Sequence, residues 1–104
     1  MIDEELLRFR TAVTLVLKDL RKQLDVSQAD VNAGIQDQFG FTQNMGRIEL
    51  GSNFTLETFY MFCKYFKISE AEFFNLVNNV DDQKIDDYLK FKAERKRSRN
   101  KKNN

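Results

Sequence analysis

The ten residues from Thr42 to Gly51, TQNMGRIELG, constrain the fold more than any other stretch. They read as a short helix with Met45 and Ile48 on one face and polar side chains on the other. Gly51 stops it, because glycine takes a left-handed backbone without a Cβ penalty. A helix this short is not stable alone in water, so its neighbours must hold it against a core. Its polar groups, Gln43, Asn44 and Arg47, are the amide and guanidinium types that pair with adenine and guanine edges in a major groove. The stretch is therefore a candidate recognition helix for double-stranded DNA.

The rest of the chain supplies helices to hold it. At 104 residues, with no proline and only four glycines, the sequence favours one all-α domain around a single core. Ten phenylalanines are expected to dominate that core, since aromatics bury large areas. The lone cysteine, Cys63, has no partner for an internal disulfide and no histidine to activate it, so it reads as a small buried hydrophobe. Asp3, Glu4, Glu5, Arg8 and Arg10 make the N-terminus unlike a signal peptide, and no apolar run approaches a membrane span. A cytoplasmic protein with no membrane partner is expected. With no histidine, no phosphate-binding glycine loop and no metal-ligand cluster, neither an enzyme site nor a metal or cofactor site can be assembled.

The net charge of +1 hides an asymmetry. Residues 90–104 carry eight Lys or Arg against Glu94, a charge of +7, and the other residues sum to −6. An acidic body is awkward for binding DNA, where phosphate contacts supply much of the affinity. The basic tail either offsets it or serves only as a solvated end.

Taken in order, Asp3 to Leu24 form one helical pattern. Leu6, Val13, Leu17, Leu20 and Leu24 recur at three- and four-residue steps, and Leu7, Phe9 and Val16 widen the stripe. That width suits either a larger local core or first turns that pack on a partner chain. Ser27 is a good N-cap with Asp30 in the first turn, so a second helix runs from Gln28 to about Gln38, with Val31 and Ile35 inward and a costly Gly34 inside. Phe39 or Phe41 plugs the space between helices near a turn at Gly40. Thr55 caps a fourth helix, Leu56 to Phe66, with Leu56, Phe59, Phe62, Cys63 and Phe66 at core spacing. Ser69 to Glu72 reads as a capping box opening a fifth helix that carries Phe73, Phe74, Leu76 and Val77 and ends at Asn78 and Asn79. A sixth begins at Asp81 or Asp82 with Ile85, Tyr88, Leu89 and Phe91 on its apolar face. Beyond Lys92 that face disappears, and a disordered basic tail is expected.

Three segments together resemble the XRE, or lambda-repressor and Cro-like, DNA-binding family. LKDLRKQLDVSQADV (Leu17 to Val31) is similar to the end of that family's first helix and the start of its second. GRIELG (Gly46 to Gly51) is similar to the end of its recognition helix, and TLETFYMFCKYFKISEAEFF (Thr55 to Phe74) to its fourth helix and the start of the fifth. The resemblance covers residues 17–74. It implies a five- to six-helix lambda-repressor-like helix-turn-helix domain over residues 1–89, followed by the basic tail, 90–104. The chain departs from the family in two places. Gln28 and Ile48 lie twenty positions apart, nearly a helical turn more than the family spacing, so either helix two is longer or the turn is an enlarged loop around Gln36 to Gly40. The loop after Gly51 is also about one residue short and lacks the usual basic residue.

By position, the resemblance implies that Gln28 contacts phosphate and that Thr42, Gln43 and Arg47 face the major groove, with Asn44 beside them. Gly46 takes the place of a small residue that permits close approach to DNA, and Ser52 and Asn53 touch phosphate. Arg21 and Glu49 match a structural ion pair between helices one and three. The function implied is a sequence-specific transcriptional regulator, binding double-stranded DNA as a homodimer. The alternative is a helix-turn-helix domain used for protein interaction, such as an antitoxin-like subunit, which the acidic body favours.

Overall fold

Six helices follow one another in the computed structural model, which describes the backbone of residues 3–102 and side chains through Ser98. Residues 1–2 and 103–104, at the two ends of the expected domain and tail, lie outside the described residues. The helices are α1 (Glu4–Gln23), α2 (Gln28–Phe39), α3 (Met45–Glu49), α4 (Leu56–Phe66), α5 (Glu70–Asn78) and α6 (Asp82–Lys102). The chain is all-helical among the described residues.

Local chemistry sets most boundaries. Asp3, Ser27, Asn44, Thr55 and Ser69 each accept a backbone N–H of the first turn that follows, meeting donors that have no partner inside the helix. The reciprocal capping box occurs at Ser27 and Asp30, where the Ser27 N–H also donates to Asp30 Oδ2 at 2.9 Å. At Ser69, only the forward half of the expected box is found among the described residues, with the Glu72 N–H donating to Ser69 Oγ. The ends of α1, α3 and α4 close in the same way. A left-handed residue (Asp25, Gly51 or Lys67) is followed by an N–H that reaches back to Arg21, Arg47 or Cys63, the Schellman pattern.

α1 runs through the middle of the assembly and packs on α3, α5 and α6, while α2 packs on α3 and α4, and α4 on α5. Leu17, Val31, Ile35, Met45, Phe62, Cys63 and Phe73 are fully buried where these helices meet. Edge-to-face ring pairs, Phe59 with Phe73 at 4.9 Å and Phe54 with Phe62 at 5.7 Å, fix the α4 side, a geometry that adds to simple burial. Burial pushes the Cys63 thiol up to about 11, with Glu70 adding to the effect, so it stays a neutral packing group.

The core differs from the expected one in several places. Only Phe59, Phe62, Phe66 and Phe73 are buried, while Phe9, Phe41, Phe74 and Phe91 are exposed. Leu56 is 80% exposed, because it opens α4 and projects past its end. Leu6 in α1 and Leu24 at its C-cap are exposed, and Thr11, Ala12 and Thr14 are buried instead. The two threonines are tolerated there because their hydroxyls donate to the carbonyls of Leu7 (2.9 Å) and Ile48 (3.4 Å). Of the two candidates for the space beside Gly40, Phe39 fills it, half-buried against the core.

α2 runs to Phe39 and stops at the left-handed Gly40, so Gln36 to Phe39 are helical and not loop. α6 continues past Lys92 to Lys102. Lys, Arg, Glu and Ala are strong helix formers, and a helix already anchored on α1 extends through them without an apolar face. Its first half is anchored by Ile85, buried in the core, and by Arg8, which donates to Asp86 at 2.7 Å and Asp82 at 3.1 Å.

A candidate nucleic-acid interface around α3

α3 is only five residues long, about 7.5 Å, and side chains from three other helices fix it. From α1, Arg21 donates to both Glu49 oxygens, through Nε at 2.5 Å and Nη2 at 3.0 Å. Arg10 Nη2 donates to the Gly51 carbonyl at 3.0 Å. From α2, Gln28 Nε2 donates to Glu49 Oε1 at 3.1 Å, and Asn32 Oδ1 accepts the Met45 N–H at 2.8 Å. From α6, the Tyr88 hydroxyl donates to the Glu49 carbonyl at 2.8 Å. Burial alone would raise the Glu49 carboxyl. The hydrogen bonds from Arg21 and Gln28, with the charges of Arg21 and Lys18, outweigh it and hold the group below the usual range. Burial, and then the nearby Glu49, push the Tyr88 phenol up, so it remains a donor.

The outer side of α3 is open. Arg47 is exposed, and among the described residues no hydrogen bond or ion pair engages its guanidinium. Asn44 spends its Oδ1 on the Arg47 N–H at 3.1 Å, capping the helix, and its amide nitrogen stays free to donate. Gln28, Asn44, Gly46 and Arg47 all line one groove of about 1190 Å³, whose other walls come from α1, the α5–α6 turn and α6. The groove carries Lys18, Arg47, Lys84 and Arg95 against Asp19, Glu49, Asp81 and Asp87, so its charge is balanced.

The expected site residues do not all gather there. Thr42 and Gln43 precede α3 in an irregular connection, so they do not share a helical face with Arg47. The Thr42 hydroxyl donates to Gln36 Oε1 at 2.8 Å, and Gln43 is half-buried. The helix begins after them because Asn44 caps it and Asn32 takes the Met45 N–H. Gln28 is turned inward to Glu49. A Cβ on Gly46 would come within 3.3 Å of Asn44 Oδ1 and Gln28 Oε1, so its lack of a side chain makes room for protein groups on α2 and at the cap. Ser52 and Asn53 are exposed and line a separate, mainly apolar pocket of about 270 Å³ with Phe9, Phe54, Leu56 and Phe74.

No protein-family model, curated protein or solved structure matches the chain.

Asn32, Tyr88 and Arg95 belong to this region although nothing in their local sequence marks them. Asn32 sits between core positions Val31 and Ile35, and Tyr88 lies on an apolar helix face where only its polar tip hints at a partner. Among the described residues, no three His, Cys, Asp or Glu side chains are placed to hold a metal ion, and no helix is long and apolar enough to cross a membrane.

Proposed function

We propose that the chain is a sequence-specific regulator that binds double-stranded DNA, a helix-turn-helix domain of the lambda-repressor-like kind in which α2 and α3 form the reading pair. The observation that carries this reading is Arg47. It is an exposed guanidinium, unengaged among the described residues, on a helix whose opposite side is locked to α1 through the buried Glu49. A rigidly backed arginine suits bidentate recognition of guanine O6 and N7, with the register fixed before binding. The α1–α3 ion pair and the adjacency of α2 to α3 support the finer fold assignment. The XRE resemblance and a cytoplasmic, non-enzymatic role belong to the same reading.

A five-residue helix reads few bases, so dimerisation is part of the proposal. Exposed Phe9, Leu56 and Phe74 around the smaller pocket support a homodimer, whose two-fold axis would place half-sites one helical turn apart. Enrichment from a random duplex library tests the reading. A motif should emerge, and Arg47→Ala should relax one position in it. A second reading, a protein-interaction subunit of the antitoxin kind, is favoured by the balanced charge of the α3 groove, and a selection that enriches no motif would establish it over the first.

A further inference from the structure

The loop that ends α3, Gly51 to Phe54, contains no Lys or Arg, yet a cation lies against it. The atoms closest to a Cβ built on Gly51 are Lys92 Nζ at 3.0 Å and Tyr88 Oη at 3.6 Å. Both belong to α6, and four-residue spacing puts them on one helical face. That face docks on the end of α3 through the Tyr88 hydroxyl. Continued along the helix it reaches Arg95 and Lys96, which stand three and four positions beyond Lys92. Both are exposed, and Arg95 lines the same groove as Arg47. The backbone remains helical to Lys102. The basic segment is thus the extension of a helix fixed at two points, Arg8 on α1 and Glu49 on α3.

We propose that the second half of α6 is a rigid arm for the DNA phosphate backbone, in which Lys92, Arg95 and Lys96 supply from another helix the cations that the α3–α4 loop lacks. This rests on the DNA-binding reading above. The charge distribution supports it: residues 90–104 sum to +7 and the rest of the chain to −6, so this segment is where positive charge is concentrated. The Tyr88 hydroxyl, donating to the Glu49 carbonyl, sets where the charges stand relative to Arg47, so phosphate binding and base reading occur in one register. A mobile polycation would supply the attraction without the register.

Salt-dependent anisotropy on the full-length chain separates the possibilities, using the duplex enriched by the wild type and an unrelated duplex of equal length. Lys92→Gln combined with Arg95→Gln and Lys96→Gln should weaken binding to both duplexes. It should also lower the slope of log affinity against log salt by about 0.9 for each phosphate that is no longer neutralised. Insertion of Gly-Gly after Ala93 keeps every charge but breaks the rigid connection. It should reproduce much of that weakening, with the circular-dichroism melt of the domain unchanged. Three results overturn the proposal. If the insertion binds as the wild type while the charge variant is weak, the segment acts as a mobile polycation. If the charge variant also binds as the wild type, α6 does not touch DNA although the DNA-binding reading stands. If the wild type binds no duplex at all, that reading falls and the arm with it.

Discussion

Arg21 reaches across from α1 to hold Glu49, a carboxylate only 6% exposed, through two hydrogen bonds at the back of α3. The same guanidinium donates Nη1 to the Val26 carbonyl at 2.9 Å, so one side chain ties α3 to the turn before α2. Losing either partner strands a desolvated charge. Glu49→Ala or Arg21→Ala should each cost about 3–5 kcal/mol, and the double variant should cost clearly less than the sum. Chemical denaturation of the four proteins measures the coupling. Strictly additive losses would mean that the pair contributes no interaction energy of its own.

The pair also gives stability a pH signature. The folded Glu49 carboxyl titrates below its ordinary value of 4.5, so the unfolded state binds the proton more readily. Its contribution is complete above that ordinary value and is lost as pH falls through the lower folded one. Asp30 behaves in the same sense, because hydrogen bonds from the Ser27 backbone and side chain lower it too. Urea midpoints taken between about pH 5 and pH 3 should fall more steeply for the wild type than for Glu49→Gln. The variant should keep a shallower slope from Asp30 and the other carboxylates. Equal slopes would remove Glu49 from the account.

Gly34 offers a test of packing against propensity. Alanine there would improve α2 by up to about 1 kcal/mol, but its methyl carbon would clash with Tyr65 Cε2 on α4, so the ring would have to shift. Tyr65 is braced edge-on against Phe66 at 5.1 Å, which limits how far the ring can shift. Overpacking of this kind costs about 1–3 kcal/mol. Gly34→Ala should therefore lower the urea midpoint, and the loss should shrink in a Tyr65→Leu background. A stabilised Gly34→Ala would show that the ring moves freely.

What the sequence makes legible follows the range of the interactions involved. Ser27, Thr55 and Ser69 cap by bonding within three residues, so α2, α4 and α5 begin where local chemistry puts them. Arg21 and Glu49 stand far apart in sequence, and only the family resemblance pairs them in advance. The start of α3 is not legible at all. Thr42 and Asn44 are both capping types, and the choice falls to Asn44 because Asn32, on another helix, takes the Met45 N–H. Leu56 shows the same limit from the other side, since periodicity records which face of a helix is apolar but not whether anything lies beyond its first turn. The basic half of α6 has no apolar face, and by pattern alone it reads as a disordered tail. Propensity and an anchored first half carry it on as helix.

The displacement of Thr42 and Gln43 from α3 sharpens the test of DNA reading. Were all three on one helix, Gln43 and Arg47 would project four residues apart and read neighbouring bases. Instead Gln43 is half-buried before the helix and Arg47 stands alone on its open side. Arg47→Ala should relax preference for guanine at one operator position, with a loss of about 1–3 kcal/mol of discrimination there. Gln43→Ala should leave the enriched motif unchanged. Neither substitution touches the buried core, so thermal melts should match the wild type and any change in the motif reports recognition directly. Parallel selections from a random duplex library with the three proteins compare them. A motif altered by Gln43→Ala would mean that the connection before α3 winds into helix on DNA. A motif that survives Arg47→Ala intact would move the reading surface away from α3 altogether.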